Sequence, residues 1–135
     1  MNGIKQELNI GDPVGGGVYV GKSATTGKDL YAAASDEPEY LTLDQAFKAA
    51  AEMRKLPGRE NAHVPTPEEL NGNLYRNKDK GALKGTFNIS GSSPVGCFRS
   101  AAPDGSGDAW VQWFGRSGIN YYGDKFIQLP LRLVW

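Results

Sequence analysis

Eighteen glycines and eight prolines are scattered through the 135 residues without a repeating period. Such punctuation cuts a chain into many short elements, because glycine reaches positive φ without steric cost and proline fixes φ and withholds an N–H. A collagen-like or linker reading needs a period or an unbroken run, and the sequence has neither. The pattern suits one small domain of several short strands joined by structured loops. The chain is long enough to bury a core without disulfide or metal staples. We place an N-terminal extension at residues 1–14 and a single domain at residues 15–135.

Charge and cysteine content narrow the function classes. Fifteen Lys and Arg against fifteen Asp and Glu leave no net charge, whereas a surface that tracks phosphates needs a basic excess. No nucleic-acid partner is expected. The basic stretch from Arg76 to Lys84 is interrupted by Asp79 and Gly81 and reads as a solvated helix end and loop. No apolar run reaches the roughly 18 residues that cross a bilayer, so membrane insertion is not expected. Met1 to Ile10 has no apolar stretch of the secretory type, which favours cytoplasmic expression, with virion incorporation as one destination. Cys97 is the single cysteine, so neither an internal disulfide nor a thiolate zinc site can form. Beside Val95 and Phe98 it reads as a half-buried strand thiol, and no spacing ties it to His63, the single histidine.

Two helices have explicit start signals. From Thr42 to Leu56, Leu43, Ala46, Phe47, Ala50 and Met53 recur at the spacing of one helical face; Thr42 caps the start, Asp44 sits where the helix dipole favours negative charge, and Pro57-Gly58 ends it. Thr66-Pro67-Glu68-Glu69 opens a second helix, with Thr66 at the cap, Pro67 at the first turn and Glu69 closing a capping box. Leu70 and Leu74 face its core, and it runs to about Asn77. Every residue of that box has a local structural task, so Glu68 and Glu69 need no acid–base role.

The rest is strand and loop. Gly15, Gly16 and Gly17 precede Val18-Tyr19-Val20 without the Lys-Ser/Thr pair of a phosphate loop, and read as a flexible lead into a hairpin over residues 17–35. Residues 81–93 read as an ordered loop or weak hairpin. Val95 to Ala101, Ala109 to Phe114 and Phe126 to Val134 read as strands separated by glycine turns. Along the middle one, Trp110, Gln112 and Phe114 share a face opposite Val111 and Trp113. Along the last, Leu129, Leu131, Leu133 and Trp135 share a face and Arg132 points the other way.

The order of these pieces resembles a family. It comprises a Gly-Gly-Val-Tyr-Val strand, Leu30-Tyr31-Ala32-Ala33-Ala34, an alanine-rich helix, Val64-Pro65-Thr66-Pro67-Glu68-Glu69-Leu70, Cys97-Phe98-Arg99-Ser100, Ala109-Trp110-Val111 and Leu131-Arg132-Leu133-Val134. From about Gly15 to Trp135 it is similar to the bacterial and phage domains of C-type-lectin-like fold found at the C-terminus of the Legionella collagen-like adhesin. Ala62-His63-Val64 stands where the family has Trp-Arg-Leu, and Cys97-Phe98-Arg99-Ser100 where it has Tyr-Trp-Ser-Ser. The resemblance implies an α+β, C-type-lectin-like fold: two helices packed on a twisted, mainly antiparallel sheet, with long loops on one side. It also implies a binding module of the adhesin-like or phage receptor-binding kind. The Glu-Pro-Asn and Trp-Asn-Asp segments of calcium-dependent sugar binding are absent. Asp104, Asp108 and Asp124 are spread over separate turns instead of clustering as calcium requires.

The expected function is therefore non-catalytic and calcium-independent, with no cofactor and no metal: recognition of a protein or glycan partner through the C-terminal half. Arg99, Asp104, Asp108, Trp113, Arg116, Asn120, Tyr121, Tyr122 and Lys125 are the candidate binding residues, since Tyr, Trp and Arg dominate interface energetics and Tyr/Asn-rich loops suit adaptable recognition. The alternative is a structural virion or assembly subunit of a phage or prophage, which would form a closed homo-oligomer. An enzyme of the same broad fold, the formylglycine-generating type, relies on a cysteine pair that this chain lacks.

Overall fold

The computed structural model describes residues 7–89, 96–103, 108–114, 120–124 and 126–135. They form a mixed α+β architecture of two helices and two separate three-stranded antiparallel sheets, where the sequence suggests one. The first sheet has the order β1-β2-β3, with β1 at Pro13–Val14, β2 at Gly17–Lys22 and β3 at Asp29–Ala33. The second has the order β4-β5-β6, with β4 at Cys97–Pro103, β5 at Asp108–Trp113 and β6 at Asn120–Asp124.

The hairpin over residues 17–35 forms as its pattern predicts, but the glycines ahead of it are ordered parts of the sheet. Gly15 and Gly16 adopt φ of 54° and 82°, the tight reversal that lets Pro13 and Val14 pair with Val18 and Gly17. Gly11 bonds to the Tyr19 carbonyl and packs against Gly81 so closely that neither could carry a side chain. In β2 the register slips between Tyr19 and Lys22, with Gly21 at φ 87°. The slip releases the carbonyls of Val20 and Lys22, and both accept hydrogen bonds from the amide of buried Asn73, at 2.8 Å each.

The first helix, α1, spans Leu43–Met53 behind a full capping box from Thr42 to Gln45. Leu43, Ala46 and Ala50 are buried, but Phe47 is 41% exposed, against expectation. The stripe that packs is narrow: Ala46 and Ala50 meet Val64, Leu131 and Leu133, with Ala49 and Met53 partly buried beside them. The second, α2, is a single α-turn at Pro67–Glu69 that widens into a π-helical turn, Leu70–Leu74, and ends in a 3-10 turn, Tyr75–Asn77. Its overall extent matches the sequence reading. The wide turn aims Asn73 at β2, while Asn71 accepts a bond from Gln112 of β5 at 2.8 Å, so this helix bridges the sheets. Residues 81–83 form a further 3-10 turn, and the described part of the following loop contains no strand.

One core joins both sheets: Val18, Val20, Leu30 and Ala32 meet Leu70, Leu74, Leu83, Phe87, Phe98, Phe114 and Val134. Phe98 and Phe114 lie 4.5 Å apart between ring centroids, and Phe87 sits edge-on to Phe98 at 5.5 Å. On the other face of β5, Val111 and Trp113 pack with Cys97 and Leu129, which covers both faces of the strand. Cys97 is fully buried, not half.

The segment from Phe126 to Val134 opens with a turn and a bend and forms no strand of either sheet. Its backbone bonds are dealt out to five neighbours among the described residues: Leu129 with Leu41, Pro130 with Arg99, Leu131 with Glu37, Leu133 with Ala33, and Val134 with His63. Leu133 and Trp135 meanwhile run beside Ala33 and Tyr31 of β3. The segment is a seam, and residues on both of its sides are buried. Arg132 is among them. Its Nε bonds to Asp36 at 2.9 Å, Nη1 to the Ala33 carbonyl at 3.0 Å and Nη2 to the Thr86 carbonyl at 2.9 Å, and its guanidinium lies 4.0 Å from the centre of the Phe87 ring. An arginine that leaves the leucine row thus finds a complete set of acceptors inside the molecule.

Candidate functional site

The nine residues singled out from sequence divide four ways. Asp104, Arg116 and Lys125 lie outside the described residues. Asp108 opens β5 opposite Asp124; Asn120, Tyr121 and Tyr122 form the start of β6, opposite Gln112, Val111 and Trp110. These four therefore lie on the backbone of neighbouring strands, with β6 next to β5 alone in the sheet order. Trp113 ends β5 and is partly buried against the Cys97–Val111–Leu129 cluster. Arg99 is a correction. It lies inside β4, opposite Val111, with no exposed surface, and donates from Nη2 to the Ile127 carbonyl. Its guanidinium secures the backbone after β6.

A dense cluster of polar side chains lies elsewhere, around the second capping box. Thr66 caps α2 by accepting from the Glu69 N–H at 3.1 Å, and the Glu69 carboxylate returns the bond to the Thr66 N–H at 3.0 Å. The same carboxylate, 1% exposed, accepts from Ser23 Oγ at 2.6 Å and meets His63 Nε2 at 2.8 Å. Thr25 Oγ1 and Thr66 Oγ1 share a further bond of 2.5 Å. The turn after β2, the start of α2 and the isolated bridge at His63 are thereby tied at one carboxylate. A capping box predicts the local half of this; nothing in the sequence predicts the contact between Glu69 and Ser23, 46 residues apart.

The protonation of this cluster follows from its geometry. His63 Nδ1 faces the Asn61 carbonyl at 2.7 Å and Nε2 faces the Glu69 carboxylate, so both ring nitrogens meet acceptors and the ring is best satisfied as imidazolium. The bond to Glu69 raises the His63 pKa above its ordinary value; burial works against it, and the Asn61 carbonyl adds to it. For Glu69, burial pushes upward, but bonds from His63, Ser23 and the Thr66 N–H outweigh it and hold the pKa below the ordinary range.

The chemistry open to the cluster is limited by who bonds to whom. Ser23 Oγ donates to a carboxylate, not to the imidazole, and accepts the N–H groups of Thr25 and Thr26 at 3.1 Å each. Its proton and lone pairs are thus engaged, unlike those of a nucleophile activated by a histidine base. Cys97 belongs to a different cluster from His63. Among the described residues no group of three His, Cys, Asp or Glu side chains could hold a metal ion, and no helix is long and apolar enough to cross a membrane.

The His63 side of the cluster opens to solvent. His63 and Glu69, with Thr26, Lys28, Asn61 and Trp135, line a cleft of about 310 Å³. In comparisons with known proteins, the sequence matches no protein-family model and no curated protein.

Proposed function

We propose that the chain is a non-catalytic binding or display module of C-type-lectin-like fold, which recognises a protein or glycan partner through the loops of its C-terminal half without calcium. The observation that carries this reading is the internal use of its reactive groups. Glu69, His63 and Ser23 satisfy one another, Arg132 and Asp36 do the same, and Arg99 secures the Ile127 carbonyl. These groups stiffen a scaffold in which the second sheet hangs from α2 through Gln112 and Asn71. Recognition then falls to Asp104, Asp108, Trp113, Arg116, Asn120, Tyr121, Tyr122 and Lys125 of the C-terminal half. A rigid frame with recognition residues on its connections is how binding loops are commonly carried.

A glycan array probed with the native chain and with Arg116→Ala and Tyr122→Ala tests it. The expected result is discrete binding by the native chain, weakened in both variants, with melting temperatures nearly unchanged. A large fall in melting temperature in both variants would assign those side chains to the scaffold and defeat the reading.

One observation favours a second reading, the structural assembly subunit. Phe126 is 70% and Ile127 50% exposed, side by side directly beyond β6, and paired exposed apolar residues mark interaction surfaces. Light scattering decides: a closed homo-oligomer that Phe126→Ser converts to monomer supports assembly, and a native monomer excludes it.

A further inference from the structure

Gly17 has the backbone of an ordinary strand residue, yet no side chain fits there. An added Cβ would lie 2.4 Å from Trp135 Cζ2 and 2.7 Å from the Ala32 carbonyl oxygen, so the glycine is a seat for an indole. Over the same ring lies the Arg59 guanidinium, 3.8 Å from its centre and itself fixed by a 2.6 Å bond from Nη2 to the Gly15 carbonyl. The Trp135 backbone is bonded to Tyr31 in both directions at 2.8 Å. A half-buried ring constrained from three directions is a pre-organised surface.

That ring lines the cleft beside His63. Its volume, about 310 Å³, reaches the lower end of the range in which small-molecule sites fall. The charges around it are unevenly used. Glu69 is matched by His63, and Asp29 by Lys22 at 2.8 Å and by the Tyr19 hydroxyl at 2.8 Å. Lys28, on the wall, and Arg59, over the indole, have no carboxylate partner among the described residues. The exposed amide of Asn61 adds a donor and an acceptor. An indole with one face under the Arg59 guanidinium and the unpaired Lys28 ammonium beside it is matched by a small ligand with an apolar body and one negative group.

We propose that this cleft is a binding site for a small carboxylate-bearing ligand, with the ring of the ligand against Trp135 and its carboxylate on Lys28. The site lies on the first sheet and is independent of recognition through the C-terminal loops, so either can fail alone.

The test is titration of the ¹⁵N-labelled chain with D-glucuronate and with benzoate, which separate a sugar acid from an aromatic acid, and with D-glucose and inorganic phosphate as controls. At least one acid is expected to move the Trp135 indole N–H and Asn61 amide resonances, with roughly millimolar affinity for so small a ligand. Lys28→Glu, a change at an exposed position that leaves the fold intact, should weaken that acid by about tenfold or more. Its unchanged melting curve is the control for folding. Silence from both acids, equal response to glucose or phosphate, or undiminished binding by the Lys28→Glu chain would each overturn the proposal.

Discussion

Arg132 and His63 each meet a carboxylate, but the first cation is closed off from solvent and the second opens onto a cleft. Arg132 is fully buried, bonds to Asp36, Ala33 and Thr86, and covers Phe87; Asp36 in turn accepts the Asn88 N–H at 2.8 Å. His63 is 37% exposed at its side chain over a Glu69 that is 1% exposed. The closed pair joins the end of β3, the loop at Thr86 and the C-terminal seam around a charge that water cannot reach. The open pair joins as many segments through Glu69, yet its cation can trade a proton with solvent. Closed pairs fix a topology and are costly to break; open pairs hold the same segments together while staying adjustable.

The largest effect should come from the closed pair. Arg132→Met removes the cation and leaves Asp36 and the Ala33 and Thr86 carbonyls without their buried donor, a loss of about 3–5 kcal/mol. His63→Gln keeps one donor toward Glu69 at a site that water reaches, and should cost about 1 kcal/mol. Urea unfolding of both variants checks the contrast. Equal losses would mean that solvent access does not distinguish the two clusters.

The sequence shows the near half of each cluster and hides the far half. Thr66-Pro67-Glu68-Glu69 announces a capping box because all its partners lie within one turn. That Glu69 also gathers Ser23 and His63 depends on where a separate hairpin comes to rest. Arg132 stands out as the residue facing away from the leucine row, but its partners Asp36 and Thr86 are 96 and 46 residues away. Phe47 has the spacing of a core residue, and its exposure reflects only how narrow a surface α1 lies on. The final segment reads as a strand because it is apolar and alternating; its bonds are divided among several neighbours, and Pro130 offers no N–H. Pattern reports what a segment can bury, not which neighbours will bury it.

A smaller effect tests the shape of the open side. Gly17→Ala places a methyl into the Trp135 ring and the Ala32 carbonyl, and relief requires the indole or the strand to shift. The expected cost is about 1–3 kcal/mol, typical of overpacking, with a blue or red shift in tryptophan emission as Trp135 leaves its seat. Gly27→Ala is the matched control. Its φ of 77° strains any side chain, but nothing lies within 4 Å of an added Cβ, so it should destabilise without moving Trp135. Identical emission from the two variants would mean that Gly17 serves the backbone alone.

The smallest effect is the pH dependence, and here the two clusters differ in sign. His63 has a pKa raised above its ordinary 6.5, chiefly by the bond to Glu69, so its stabilisation is complete below 6.5 and is lost as pH climbs through the raised value. Glu69 is held below its ordinary 4.5, so its stabilisation is complete above 4.5 and is lost as pH falls through the lowered value. The open pair therefore supports the fold best between 4.5 and 6.5 and less on either side. Asp36 behaves in the opposite way: burial raises its pKa above the ordinary 3.8 despite Arg132 and the Asn88 N–H, so its ionisation weighs against the fold as pH rises from 3.8. Urea midpoints of the native chain, from about pH 5 to about pH 9, should decline through the upper part of that range, and those of His63→Gln should decline less. The same variant should leave the acidic limb in place, since Glu69 keeps Ser23 and the Thr66 N–H. If native and variant midpoints fall in parallel above 6.5, the imidazolium is not what the open pair contributes, and solvent access has made it no more adjustable than the closed one.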